Sequence, residues 1–372
     1  MSDSEVSKPR IVVLGGAGML GRNFVKYCID NDMCSYIRVA DKTLPAIAYF
    51  NEMHKAAFED ERVDFVQADL TREAHIERAY NPEKGPYDYV FNMAGETKSG
   101  LSDAIYASKC RDLSVKCATM AQTLDLKRYI EVSTAFVYKG EKKNPATEVS
   151  DLQPWTRQAR YKLEAEEEIR KLANIKLVIV RPAIVYGPAD FSGLMPRIVC
   201  AASYVKLEEK MKLLWKEDMR VNTVHVHDVC RAMWHLTEAG TDGAIYNLAD
   251  KNDTNQCKIN LILQEIFGIE TGFHGKLLSG LARVRLPEVV NDANDKHMRP
   301  WSELCMEHGV TNTPLTPYID KELLQHTPLH IDGSAIERET GFEYTHPNVE
   351  TDEIRDIVQQ MIDQKIFPPI LC

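Results

Sequence analysis

What this 372-residue sequence lacks excludes several classes of protein before any motif is read. Its longest apolar stretch, residues 11–20, is ten residues interrupted by three glycines, whereas a bilayer-crossing helix needs about 20 apolar residues. It has no excess of positive charge: 45 Lys and Arg against 55 Asp and Glu leave a net charge of −10. No global basic field therefore gathers phosphate backbones or anionic lipid, and no basic, aromatic-rich stretch suits a nucleic acid. No Cys-x-x-Cys pair occurs, and the nine cysteines, an odd number, read as reduced, packed thiols. There is no internal repeat and no low-complexity tract. The first ten residues are polar and mix both charge signs, unlike a secretory signal or an acid-poor mitochondrial presequence. The expectation is a soluble, cytoplasmic protein with no membrane span and no nucleic-acid partner.

The composition that is present, 44% apolar and 27% charged, is that of a globular chain with a sizeable core. From residue 10 to 185, short β-branched runs alternate with longer amphipathic segments, the pattern of βαβ units in a parallel sheet. Strands are expected at 11–14, 36–40, 63–67, 87–91, 128–132 and 176–180, and their nearly unbroken apolar character predicts helices on both faces. The fold class is α/β: a Rossmann-type doubly wound parallel sheet with a smaller, mixed C-terminal substrate lobe. After Gly187 the spacing predicts a polar, basic helical stretch to about 218, a strand at 221–226, a helix at 229–237 and a strand at 244–248. A dinucleotide-binding domain is expected over 8–188, with 219–250 returning to it, and the substrate lobe over 189–372. The charge-dense segment 164–171 reads as a solvated helix face.

The first strand runs directly into Gly15-Gly16-Ala17-Gly18-Met19-Leu20-Gly21, and a helix follows. Gly15 permits the tight turn, Gly18 lets backbone amides approach a pyrophosphate at the helix end, and Gly21 lets helix and strand pack closely. Asp41 closes the second strand, twenty positions after Gly21, where a carboxylate accepts hydrogen bonds from a ribose diol. It disfavours a 2′-phosphate, so NAD(H) is expected over NADP, with the neighbouring Lys42 working against that preference. Asp69-Leu70 and Asn92-Met93-Ala94-Gly95 end the third and fourth strands, which places Asp69, Leu70, Ala94 and Gly95 where open α/β sheets bind ligands.

Further motifs are Val132-Ser133-Thr134-Ala135-Phe136-Val137-Tyr138, Lys162-Leu163-Glu164-Ala165-Glu166, Arg181-Pro182-Ala183-Ile184-Val185-Tyr186-Gly187-Pro188 and His225-Val226-His227-Asp228-Val229. With the glycine loop, they make the sequence resemble the extended short-chain dehydrogenase/reductase superfamily over about residues 10–250. That group includes nucleotide-sugar epimerases and dehydratases and the 3β-hydroxysteroid dehydrogenases. The resemblance implies a working set of Ser or Thr, Tyr, and Lys four residues after the Tyr, with the Tyr exchanging a proton with a substrate hydroxyl. It assigns the first role to Thr134 and the last to Lys162, adds Pro182 to the cofactor pocket, and puts the Tyr position at 158, which holds Gln. An amide cannot exchange that proton, which leaves Tyr161, three residues on, as a substitute on a distorted helix.

Two functions follow from the resemblance. One is an NAD-dependent oxidoreductase, epimerase or dehydratase acting on a hydroxylated small molecule, a sugar nucleotide or a sterol-like lipid, through a non-standard active site. The other, favoured by Gln158, is a catalytically degenerate NAD(H)-binding structural subunit or redox sensor. Segments 103–124 and 154–172 match helices that often build a homodimer interface in this superfamily. His225 and His227 fall on one face of the predicted strand beside Asp228, but no fourth ligand is visible and no metal is assigned. The polar run 291–301 lines a pocket or forms a surface loop.

Overall fold

The computed structural model describes residues 7–372, so the first six residues of the polar N-terminal stretch lie outside it. Six strands arise from the apolar runs: β1 (Arg10–Leu14), β2 (Tyr36–Asp41), β3 (Val63–Gln67), β4 (Tyr89–Asn92), β5 (Arg128–Val132) and β6 (Leu177–Pro182). Between and after them come α1 (Met19–Asp30), α2 (Glu52–Phe58), α3 (Glu73–Tyr80), α4 (Asp103–Tyr106), α5 (Leu113–Ala121) and α6 (Arg157–Ile169); a π-helical turn, Ala107–Asp112, joins α4 to α5. The later chain forms β7 (Ile184–Tyr186), α7 (Met195–Leu207), β8 (Met211–Leu213), β9 (Thr223–His225), α8 (Val226–Ala239) and β10 (Ile245–Leu248). It ends with α9 (Gln256–Phe267), β11 (Thr271–Phe273), α10 (Lys276–Val284), α11 (Leu286–Glu307), α12 (Ala335–Thr340) and α13 (Thr351–Asp363).

The main sheet has seven parallel strands in the order β10-β6-β5-β4-β1-β2-β3. Alternation of side chains splits β1 between two cores. Ile11 and Val13 face Phe24 and Val25 of α1 and Val229 and Met233 of α8; Val12 and Leu14 face Ile76 of α3, Cys117 of α5 and Ile169 of α6. Both faces are dry, which explains why these strands lack polar alternation. The strand order reverses between β1 and β4, and a crevice at the carboxyl ends of the strands there is where such sheets take ligands.

Three local differences from the sequence reading have physical causes. The stretch expected to be helical to about 218 ends at Leu207, where Glu208 turns into the left-handed region (φ 53°) and the chain enters β8. The strand expected over 221–226 stops at His225, whose Nδ1 accepts the His227 backbone N–H and so starts α8; His225 and His227 do not share a strand face. The run 291–301 is not a loop but part of α11, packed along α7, where the Asn294 amide donates to the Ile319 carbonyl and accepts from its N–H.

The face of α6 also needs correction. Glu164 and Glu168 do lie at the surface against Arg111 and Lys171, but Glu166 is buried against Arg181 with Nε–Oε1 3.1 Å. The chain comes back to the sheet twice: β10 pairs with β6, and Ile336, Phe342 and Tyr344 near α12 join the core under α1 and α8. A second core lies among α7, α9, α11 and α13. All nine cysteines are free thiols. Among the described residues no helix is long and apolar enough to cross a membrane.

Candidate functional site

The glycine loop is shaped by what surrounds it. Gly15 has φ +80°, and a Cβ there would lie 2.7 Å from the backbone of Ala94, so the loop and the end of β4 touch only because the side chain is absent. A Cβ on Gly21 would fall 2.4 Å from the Gly15 carbonyl oxygen, so this glycine seats α1 against the loop. Gly18 is the N-cap of α1 and offers no side-chain cap. The first-turn amides, including those of Met19 and Leu20, therefore have no partner within the helix at the positive end of its dipole, an arrangement suited to a phosphate.

Asp41 sits at the end of β2 beside this turn. Its two oxygens accept from Ala17 N–H at 3.0 Å and Thr43 N–H at 2.8 Å, which fixes the carboxylate while leaving a further lone pair on each oxygen. Burial pushes its pKa up, and those two backbone hydrogen bonds oppose the shift. Lys42 turns away towards Glu96, 3.9 Å distant, and Lys109 approaches the same carboxylate at 3.3 Å. The Asp69 carboxylate accepts from both N–H and Oγ1 of Thr71 and so shapes the turn into α3, while Leu70 packs in the core beneath.

The residues of α6 take their places from a single cap. Thr156 accepts the Ala159 N–H at 3.1 Å and sets the start of α6. Gln158 and Lys162, four residues apart, then share one face, about 40° apart around the axis. Lys162 is 7% exposed; its Nζ donates to the Val132 carbonyl at 2.9 Å and lies 3.7 Å from Glu131. Glu131 is wholly buried and also accepts from Asn92 at 2.7 Å and Ser114 at 2.8 Å. Burial raises its pKa, and the Lys162 ammonium opposes that shift. Gly95 lies over Lys162: a Cβ there would be 3.4 Å from Nζ. Thr134 is half-buried at the end of β5, its hydroxyl accepting the Phe136 N–H at 3.3 Å, and Pro182 ends β6 in register with Leu248.

Gln158 and Tyr161, the two residues weighed for the proton-exchanging role, have other partners. Gln158 donates its amide to the Glu96 carbonyl at 2.7 Å. Tyr161 stacks on Tyr106 of α4 (centroids 6.5 Å), with Arg160 4.7 Å and Arg111 5.7 Å from its ring centre. At about 100° per residue it is a quarter-turn from Lys162, on the side that faces α4 and the π-helical turn, so the structure gives no support to it as a substitute acid. Sequence reasoning missed Ser133: its hydroxyl is buried with no hydrogen-bond partner, an orphan beside Thr134 of the kind a bound ligand would satisfy. The hydroxyl next to Thr134 at a strand end was the available signal.

The uncapped α1 terminus, the glycine cradle, the held Asp41 carboxylate and the orphan Ser133 hydroxyl together fit a dinucleotide lying across the strand ends. The histidines are organised differently. His225 faces Glu353 at 3.5 Å, and His346 faces Glu353 at 3.5 Å and Asp228 at 3.7 Å. Nδ1 of His225 accepts a backbone N–H, and His225, His346 and Glu353 each bring one donor atom within 4.8 Å of the others, as do His227, Asp228 and His346.

Comparison with known proteins gives concordant results. The family model described as the NAD dependent epimerase/dehydratase family matches residues 11–249. A dTDP-glucose 4,6-dehydratase of Actinoplanes sp. is 25% identical over 272 residues, 70% of this chain and 82% of its own length. The low-salt glycan biosynthesis protein Agl12 of Haloferax volcanii is 23% identical over 64% of this chain and 76% of its own. Among solved structures, UDP-glucuronic acid 4-epimerase from Bacillus cereus, in complex with UDP-glucuronic acid and NAD, superposes with a TM-score of 0.69 at 16% identity, covering 95% of this chain and 99% of that one.

Proposed function

Because the chain belongs to the NAD-dependent epimerase/dehydratase family, we propose that it binds NAD(H) across the carboxyl ends of β1 to β6 and acts on the carbinol carbon of a nucleotide-sugar-like substrate. The observation that carries this reading is the alignment of the uncapped α1 terminus, Asp41 and the Gly95–Lys162–Val132 contact along one row of strand ends. The substrate class is supported by the names of the relatives, which handle dTDP-glucose or UDP-glucuronic acid. Bound NAD supplies the hydride chemistry.

The protein's part is to hold and orient. The first-turn amides of α1 take the pyrophosphate and Asp41 the adenosine ribose. Lys162, already tied to Val132, directs its remaining N–H groups to the nicotinamide ribose, and Thr134 takes the substrate oxygen. Gln158 stands on the Lys162 face of α6 where a phenol would serve, so in this reading the carbinol proton leaves through the Thr134 hydroxyl and solvent. A positioned acid or base contributes about 10²–10⁴-fold, and turnover here is slower by that order. In this reading two copies pair through α5 and α6, and sedimentation tests the pairing.

A second reading, NAD(H) held without turnover, draws support from the Gln158 amide being engaged by Glu96. The test is turnover of a panel of nucleoside diphosphate sugars, followed by product formation together with NADH absorbance, for the parent and for Gln158→Tyr. Slow parent turnover that rises about 10²-fold in the variant supports the first reading. Binding without turnover in either protein supports the second, and fast parent turnover lost in the variant contradicts both.

A further inference from the structure

Helix α10 in the second lobe presents its apolar side outward. Leu277 is 91% exposed, Val284 82% and Leu281 47%, whereas Ala282 on the opposite side is fully buried. At about 100° per residue the three exposed side chains fall within an arc of about 60°. Gly280 borders that arc, and a Cβ built on it would meet nothing within 4 Å. An apolar stripe of this kind, facing away from the core, is the reverse of the usual arrangement for a surface helix.

The surroundings of the stripe are basic although the chain as a whole is acidic. Lys276 and Arg283 flank it on one side, about 100–120° from Leu277, and Arg285 follows at the helix end. Burial, together with the nearby cations Lys142, Arg283 and Lys216, holds His326 below the ordinary histidine range. Lys212 lies on β8, which pairs with β11 immediately before α10. Lys210, Arg285 and Lys296 have acidic partners in Glu270, Glu288 and Glu209. Among the described residues no ion pair engages Lys142, Lys212, Lys216, Lys276 or Arg283.

We infer that α10 is a docking element for an anionic lipid surface: Leu277, Leu281 and Val284 enter the headgroup–acyl boundary and the surrounding lysines and arginines lie against the lipid phosphates. An outward apolar stripe bordered by cations is how a helix lies in a membrane interface without crossing it. Charge complementarity selects lipid over a second copy of this chain, whose own α10 surroundings carry the same positive charge. The connection that carries His326 also carries Glu322, which pairs with Arg157 at 2.6 Å, one residue before Gln158.

The test is flotation of the full chain with phosphatidylcholine vesicles, with and without phosphatidylserine. The parent floats with the anionic vesicles and is released by added salt. Leu277→Ser with Val284→Ser abolishes flotation. Lys276→Gln with Arg283→Gln weakens it about 30-fold, taking about 1 kcal/mol per cation near such a surface. All four positions lie on this surface helix, and an unchanged unfolding midpoint checks that the variants fold. Failure of the parent to bind anionic vesicles overturns the inference, as does binding that both double variants retain. Concentration-dependent self-association of the parent that Leu277→Ser removes identifies a second copy as the occupant and also overturns it.

Discussion

At the scale of single residues the account turns on Asp41 and Gln158. Asp41 is fixed by two backbone N–H groups, so its carboxylate is in place before a ribose arrives. Asp41→Ala is expected to weaken NADH binding about ten- to a hundredfold, the effect of losing hydrogen bonds to a charged acceptor, as read by fluorescence titration. The position of Asp41 is legible from spacing, because strand ends convert sequence separation into position, whereas Lys162 is singled out only by the family resemblance. Ser133 is not legible: only the structure shows that its hydroxyl is buried without a partner. Nor is the Gln158 partner, since Glu96 reaches it through a main-chain carbonyl that any residue would provide.

At the scale of elements, the loop between β1 and α1 and the pair beneath α6 carry separable predictions. Gly15→Ala puts a Cβ against Ala94 at a backbone conformation that L-residues rarely adopt. It is expected to lower stability by about 1–3 kcal/mol, seen as a lower denaturation midpoint, and to weaken nucleotide binding with it. Glu166→Gln leaves the Arg181 guanidinium buried opposite a neutral amide and is expected to cost about 3–5 kcal/mol in denaturant unfolding without altering the cofactor contacts. The main strands and α1 could be read from periodicity because they are long enough to show it. The three-residue strands β7, β8 and β11 could not, since three residues define no period, and β9 could be placed only with its bounds too wide. In α11 the run of Asn, Asp and Lys hides the helix, because such residues favour turns locally while packing on α7 decides the outcome.

At the scale of the whole molecule, buried histidines set the acid limit. Desolvation lowers His54 and His225 to about 3 and His297 to about 4, from 6.5. In the unfolded chain these rings bind protons below about pH 6.5 while the folded protein refuses them, so their stability contribution is full above pH 6.5 and is lost as pH falls towards 4. Asp250, raised by burial to about 7, acts in the opposite sense: the folded protein keeps its proton, so its contribution is present at low pH and fades as pH rises from about 4 to 7. Asp41 and Glu131, raised by burial, act in the same sense as Asp250, so the histidine contribution is read by difference, each uncompensated proton being worth about 1.4 kcal/mol per pH unit. Between pH 7 and 4 the parent should therefore lose more of its unfolding midpoint than His54→Gln does. Composition conceals one further feature at this scale: a net charge of −10 says nothing of the basic surface around α10, because only folding brings Lys142, Lys216 and Arg283 together.

The most direct test of the central claim, an NAD site at the strand ends, is titration of the nucleotide-free protein with NADH and with NADPH. Energy transfer from its four tryptophans provides the signal. NADH binding with a Kd on the order of 1 μM, at least about tenfold tighter than NADPH, is the predicted result. Equal or tighter binding of NADPH would contradict the role given to Asp41, and no binding of either nucleotide would contradict the site itself.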